Sequence, residues 1–213
     1  MRIVLLLVFF AVSAGAAHAQ VVQFHPFVGY TFPSTLNMSA GDIRFPAAPN
    51  VGFNLSLGMG PTGYGIFKNV LFELHYTRFV SEMIYQFDTD NLPEFPIGKV
   101  LQHTLMFGCT KETEPKRWAG YGGVYFGVVS MAPQNIYFNT RTRFTFALGG
   151  GIKHAFNEKI GLRLDAKAYF PIWKSGYYAR WSTISSESGV VTSSLQLIAN
   201  ISMGLYLNLT EIQ

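Results

Sequence analysis

The sequence has little charge and a single cysteine. Asp, Glu, Lys and Arg make up 13% of the 213 residues, about half of the roughly 25% that is usual for a soluble domain. Cys109 is the one cysteine, so an intramolecular disulfide cannot form and the class of small disulfide-stabilised secreted domains is excluded. A surface that faces water everywhere needs more charge than this. The composition therefore indicates a protein whose exterior is not solvated by water over its whole area.

The sequence also lacks motifs for catalysis and for metal or nucleotide binding. The 16 basic residues are scattered rather than gathered into one stripe, which argues against nucleic acid as a partner. Gly149-Gly150-Gly151 has no Lys-Ser/Thr sequel and no following helix, so we interpret it as a place where a strand bends tightly rather than as a phosphate loop. The sequence predicts no cofactor, no metal site and no enzyme.

The first residues are typical of a secretory signal peptide. Met1-Arg2 is followed by an apolar run from Ile3 to Val12 and then by Ala17-His18-Ala19, which has the A-x-A form of a cleavage site. The run is too short for a membrane helix, which needs roughly 20 apolar residues. We expect export through the Sec pathway and cleavage after Ala19. Residues 1–19 are then the signal peptide, and residues 20–213 form a single domain.

Apolar residues occur at every second position in eight segments after the signal, the period of a strand with two different faces. In residues 194–209 the odd positions are apolar and the even positions are polar or glycine, except for Ile198. In residues 162–170 Arg163, Asp165 and Lys167 alternate with apolar residues. Segments of this length suit tilted membrane crossings of about 9 to 11 residues.

The predicted connections alternate between long and short, as in a barrel with short periplasmic turns at one rim and longer loops at the other. Lipid offers no partner for backbone N–H and C=O groups, so a β structure in it must close on itself. The predicted fold is all-β: an eight-stranded antiparallel up-and-down transmembrane β-barrel. Its lumen is narrow enough for side chains to fill.

Seven charged or titratable residues fall on the face opposite the apolar rows. We predict that they point inward and neutralise one another in a polar lumen network. Glu73 and His75, two positions apart, could instead pair a base with its orienting group, although spacing ties no nucleophile to them. The predicted network is Glu73, His75, Arg143, Lys153, Arg163, Asp165 and Lys167.

A Gly-rich hairpin is similar to one found in a known family. Its parts are Phe144–Lys153, the turn Asn157-Glu158-Lys159 and Ile160–Ala166. Together with the alternation of apolar and polar residues in the predicted strands, this hairpin resembles those of the small outer-membrane β-barrel domains of Gram-negative bacteria typified by OmpA and OmpX. The resemblance implies residence in the cell outer membrane, insertion by the barrel assembly machinery, and contact with membrane lipid and lipopolysaccharide. Members commonly end in an aromatic residue, whereas Thr210-Glu211-Ile212-Gln213 follows Leu209 here.

Fold alone does not decide function, and three hypotheses stay open. The first is a structural or surface-interaction protein of the outer membrane with a filled lumen and no open pore. The second is a lipid A-modifying enzyme, and the third is a soluble lipocalin-like barrel, which would turn its apolar faces inward. The last long connection mixes aromatic and cationic residues that could hold a sugar, a lipopolysaccharide head group or a protein. This candidate surface is Trp173, Lys174, Tyr177, Tyr178, Arg180 and Trp181.

Overall fold

A computed structural model describes residues 21–38, 41–58, 68–87, 93–113, 117–134, 140–172 and 196–209. These residues form ten strands: β1 (Val21–Thr31), β2 (Ser34–Met38), β3 (Gly41–Phe45), β4 (Ala48–Gly58), β5 (Val70–Phe87), β6 (Phe95–Glu112), β7 (Trp118–Pro133), β8 (Arg141–Ala155), β9 (Ile160–Pro171) and β10 (Ile198–Asn208). Within these ranges no helix is long and apolar enough to cross a membrane.

Eight of the strands close into a barrel. Neighbours pair antiparallel in the order β5, β4, β1, β10, β9, β8, β7 and β6, and β6 pairs back with β5. No barrel strand is left with an open edge, so the backbone groups of each find partners on both sides. The predicted eight-stranded antiparallel barrel is confirmed. We call the end at Val21 and Asn208 the terminal end, and the end at Thr31 and Ile198 the far end.

The two faces of the barrel wall have opposite chemistry. Polar residues on the inner face are buried, among them Gln23, Asn54, Ser56, Thr104 and Thr145. Large apolar residues on the outer face are exposed; Val28, for example, is 62% exposed. The exposed set includes Val51, Phe72, Leu105, Phe107, Val124, Phe126, Val128, Phe144, Phe146, Leu148, Leu197, Ile201, Met203 and Leu205. An apolar surface this continuous is rare on a protein that is dissolved in water.

The first long connection folds as a hairpin arm, which the sequence did not predict. β2 and β3 pair with each other, and β3 also pairs with the far part of β5, from Ile84 to Phe87. The sequence predicts a long loop here, because Pro46 and Pro49 cannot donate to a strand ladder. In the structure this arm continues the β1–β4 hairpin beyond the barrel.

The two prolines mark a bend in the hairpin arm. Thr31 pairs with Ala48, and Ser34 pairs with Phe45, so Pro33 and Pro46 occupy facing positions where the ladder is interrupted. Neither proline has an N–H to donate to the other strand. The bend is tied to the barrel wall because the Ser81 hydroxyl donates to the Pro46 carbonyl at 2.7 Å. The Gln196 amide donates to the Ser34 hydroxyl at 3.2 Å.

Gly151 provides a test of wall packing in this small barrel. A Cβ at Gly151 would overlap the Leu164 carbonyl oxygen and the Tyr121 hydroxyl, whereas a Cβ at Gly122 would have a single neighbour, the Gly149 carbonyl oxygen at 3.9 Å. We expect Gly151→Ala to lower the free energy of unfolding by about 1 to 3 kcal/mol, the usual cost of overpacking. Gly122→Ala should change it by less than about 0.5 kcal/mol. Urea unfolding of the detergent-folded variants measures both, and equal effects would contradict this account of the packing.

Candidate functional site

The lumen contains a cluster of charged side chains that are almost completely shielded from solvent. Glu73 is 0% exposed, Arg163 and Asp165 are 1% exposed, and Lys167 is 3% exposed. Glu73 lies on β5, and the other three lie on β9 at alternate positions, so all three point inward. β5 and β9 are four strands apart in either direction around the barrel. The cluster therefore joins opposite walls.

Arg163 makes the contacts that cross the lumen. Its Nη1 donates to Glu73 Oε2 at 2.7 Å, and its Nη2 donates to Glu73 Oε1 at 3.2 Å. The planar guanidinium thus binds the carboxylate with two parallel hydrogen bonds, the geometry that gives the strongest ion pairs. Nη2 also donates to Asp165 Oδ1 at 2.9 Å. One arginine holds a carboxylate on each wall.

The charges of this cluster balance. Lys167 Nζ donates to Asp165 Oδ1 at 2.8 Å and lies 3.9 Å from Glu73 Oε1. Two cations therefore face two carboxylates. Burial of an uncompensated charge costs several kcal/mol, so this equality allows the charges to remain inside a narrow lumen.

Two tyrosines of β7 complete the cluster. Tyr125 donates its hydroxyl to Glu73 Oε1 at 2.9 Å, and the Tyr121 hydroxyl donates to Asp165 while it accepts from Arg163 Nε at 3.0 Å. The Arg163 guanidinium carbon lies 4.4 Å from the Tyr121 ring centre, and Lys167 Nζ lies 5.3 Å from the Tyr125 ring centre. The rings thus stabilise the cations through their faces as well as through their hydroxyls.

Sequence reasoning missed both tyrosines because β7 is rich in glycine and shows no clear alternation. The available signal was their offset by one position from the large apolar residues Val124, Phe126 and Val128, which are exposed on the outer face. An odd position in this strand therefore points into the lumen.

The two buried histidines belong to a second group that is anchored on Asn54. His75 Nδ1 lies 2.5 Å from Asn54 Oδ1, and His75 Nε2 lies 2.8 Å from the Tyr169 hydroxyl. Asn54 Nδ2 lies 2.9 Å from His25 Nδ1. Since an amide oxygen only accepts, Nδ1 of His75 carries the proton and Nε2 accepts from Tyr169, which is the pattern of a neutral imidazole.

Glu73 and His75 are therefore not hydrogen-bonded to each other as a base and its orienting group would be. Glu73 binds Arg163, Tyr125 and Ser56, whose hydroxyl donates to it at 3.1 Å. His75 binds Asn54 and Tyr169 and stacks on Phe27 with ring centres 5.5 Å apart. The two side chains have separate sets of partners.

The remaining two lumen candidates lie elsewhere along β8. Lys153 is buried; it donates to Gln23 Oε1 at 2.7 Å and pairs with Glu112. Arg143 is half-buried, and its Nη1 donates to the Thr142 backbone carbonyl at 3.3 Å. It lies six positions from Gly149, the residue of β8 that pairs with Lys167. Arg143 thus stands away from the cluster around Glu73, towards the far end.

From the charged cluster towards the far end, apolar side chains take a growing part in filling the lumen. Leu36, Ile43 and Phe45 of the hairpin arm are buried together with inward residues of the barrel wall. Ile198, which interrupts the polar row of its strand in the sequence, belongs to this apolar layer. The wall residues are Met83, Val100, Met106, Tyr125, Val129, Met131, Ala147, Tyr169 and Ile198. The arm therefore covers the far end of the lumen with an apolar cap.

The predicted loop surface lies outside the described residues, in the interval 173–195. Its members are Trp173, Lys174, Tyr177, Tyr178, Arg180 and Trp181. In the ranges that the structure does describe, no three His, Cys, Asp or Glu side chains are grouped as metal ligands would be.

A closed eight-stranded antiparallel barrel with an apolar exterior and a charged, filled interior is the fold of the small outer-membrane β-barrels. No family model matches the sequence, and the curated proteins give no match. Solved structures do match.

Neisserial surface protein A is similar with a TM-score of 0.53 and 11% identity, over 86% of this chain and 96% of that one. OprG, an outer membrane protein of Pseudomonas aeruginosa, has a TM-score of 0.60 and 9% identity, over 91% and 98%. AlkL, an outer membrane protein studied in DMPC bilayers by solid-state NMR, has a TM-score of 0.56 and 11% identity, over 92% and 93%. At such identities the likeness establishes the fold.

The cross-lumen ion pair can be compared with a pair on the surface. Arg163 and Glu73 are buried, whereas Arg44 and Glu94 lie 3.8 Å apart with about half of each side chain exposed. We expect Glu73→Ala to lower the free energy of unfolding by about 3 to 5 kcal/mol, because it leaves buried cations uncompensated. Glu94→Ala should cost between about 0 and 1 kcal/mol. Urea titration followed by tryptophan fluorescence measures the difference, and a Glu73→Ala variant as stable as Glu94→Ala would show that the lumen charges do not depend on each other.

Proposed function

We propose that the protein spans the bacterial outer membrane and has a structural or surface-interaction role, with a filled lumen and no open pore. The observation that carries the proposal is the inverted distribution of polarity: charge is enclosed and apolar side chains face outward. Water would favour the reverse arrangement. A lipocalin-like barrel that binds an apolar ligand in solution also needs the reverse, so the geometry disfavours that alternative.

Two successive layers support a closed lumen. The first is the polar cluster, in which Arg163 and Glu73 bridge opposite walls. The second is the apolar cap, in which Leu36 of the hairpin arm is 0% exposed. A path for water would have to pass both layers. The side chains therefore stiffen the barrel and do not line a channel.

The partners we propose follow from this placement. Membrane lipid and lipopolysaccharide contact the apolar wall, and the barrel assembly machinery inserts the chain after Sec-dependent export. The far end carries the hairpin arm and the connection with Trp173, Tyr177 and Trp181, so it is the end at which we place an extracellular ligand or protein. Nucleic acid is not among the proposed partners.

Membrane residence is tested by fractionation. We expect the protein to stay with outer-membrane vesicles through alkaline carbonate washing, because the apolar wall is in lipid. On a gel, the unheated sample should migrate differently from the boiled one, because a closed ladder resists detergent until it is heated. A sample that carbonate releases without detergent would overturn the membrane placement, whatever its gel mobility.

The filled lumen predicts low permeability. Vesicles that contain the folded protein should swell in a small neutral sugar no faster than protein-free vesicles, because the polar layer and the cap both block the path. Vesicles with a general porin are the positive control. Swelling that rises with the amount of folded protein would contradict a closed lumen, and it would leave the membrane placement intact.

A further inference from the structure

Polar side chains form one row on the outer face of the barrel. Arg78 of β5 pairs with His103 of β6, His103 pairs with Ser130 of β7, and Ser130 pairs with Thr142 of β8. Directly paired residues hold their Cβ atoms about 4.5 to 5.5 Å apart. Each side chain is therefore next to the following one on the surface that we place against lipid, and Arg78 and Thr142 stand three strand spacings, about 14 Å, apart.

This row lies between the main apolar surface and one further apolar row, Val80, Leu101 and Ala132. The paired row just below it is Tyr76, Leu105, Val128 and Phe144, and the next is Leu74, Phe107, Phe126 and Phe146. Arg78 follows Val70, the first residue of β5, by eight positions. At about 3.3 Å per residue and a tilt of about 40° this is a rise of about 20 Å, in an apolar band about 25 Å tall. This height places the row in the upper part of the apolar band.

The imidazole of His103 is held in place by its neighbour. The Tyr76 hydroxyl lies 2.8 Å from His103 Nδ1, with the two ring centres 6.1 Å apart. Tyr76 in turn packs on Phe53, with ring centres 5.5 Å apart. With Nδ1 engaged, Nε2 is the nitrogen that can meet a ligand.

The Arg78 guanidinium is exposed and has no side-chain partner among the described residues. Its row contains no carboxylate: Val51 lies opposite on β4 and His103 on β6. The nearest acidic residue on the outer face of β5 is Glu82, four residues after Arg78. It pairs with Lys99 of β6. An exposed cation beside the His103 imidazole thus has no carboxylate in its row.

We propose that Arg78 and His103, with the Ser130 hydroxyl next to His103, form a binding site for the phosphate group of a membrane lipid. Guanidinium binds phosphate with paired hydrogen bonds, and imidazole and hydroxyl groups can donate to further phosphate oxygens. The apolar rows below the site would receive the acyl chains, which selects a lipid phosphate over free phosphate. This inference rests on the proposed membrane placement.

The experiment is native mass spectrometry of the full chain folded in non-ionic detergent, with added dioleoyl phosphatidic acid. The matched probe without phosphate is dioleoyl glycerol. We expect one retained phosphatidic acid and no retained dioleoyl glycerol. Arg78→Gln should weaken retention about tenfold, the effect of losing a charge-assisted contact, and His103→Gln should weaken it in the same direction.

Lys111→Gln is the matched control, since Lys111 is exposed on β6 near the terminal end and pairs with Val70. It should retain the lipid like the parent protein, and the gel shift on heating confirms that each variant is folded. Equal retention by Arg78→Gln, equal loss in Lys111→Gln, or retention of dioleoyl glycerol would overturn the site. Displacement by inorganic phosphate at equal concentration would overturn the lipid assignment. If the membrane placement itself is wrong, alkaline carbonate releases the protein from the vesicles. That result is separate from the lipid-retention measurement.

Discussion

The ion pair between Arg163 and Glu73 is the interaction on which the interior depends. It joins β5 and β9, which lie on opposite sides of the barrel. Asp165 and Lys167 complete the charge balance, and the hydroxyls of Tyr121 and Tyr125 donate further hydrogen bonds to Asp165 and Glu73. Enclosed charges are tolerable only when they are paired and hydrogen-bonded. The interior is therefore a single connected group rather than a set of independent contacts.

The closed strand ladder of the wall and the narrow lumen both limit which residues each strand can contain. Closure of the ladder satisfies the backbone, which leaves each strand with one face for lipid and one for the lumen. Eight strands give a narrow lumen, so large side chains such as Tyr121 need glycine opposite them; Gly151 fills that role. Towards the far end the hairpin arm supplies apolar side chains instead of charges. The lumen is thus filled by a cluster of charged side chains and, towards the far end, by an apolar cap.

Alternation in the sequence predicts the strands and their faces, because a two-residue period follows directly from the pleat. It predicts that Glu73 and Arg163 point inward, yet it cannot predict that they meet, since contact across the lumen depends on stagger and tilt. The hairpin arm was missed because prolines such as Pro46 indicate a loop. Only the register shows that Pro33 and Pro46 face each other at a bend. Tyr121 and Tyr125 were missed because the glycines of β7 obscure the alternation of apolar and polar residues in that strand.

The separation of the lumen partners along the chain has a consequence for the order of assembly. Arg163 and Glu73 are 90 residues apart, His75 and Tyr169 are 94 apart, and Lys153 and Gln23 are 130 apart. None of these contacts can form between adjacent hairpins that arrive first. The interior must stay hydrated until β9 has reached its place opposite β5, because earlier loss of water would leave single charges without partners. Expulsion of water from the lumen is consequently a late, collective step, and the last strands to arrive set its timing.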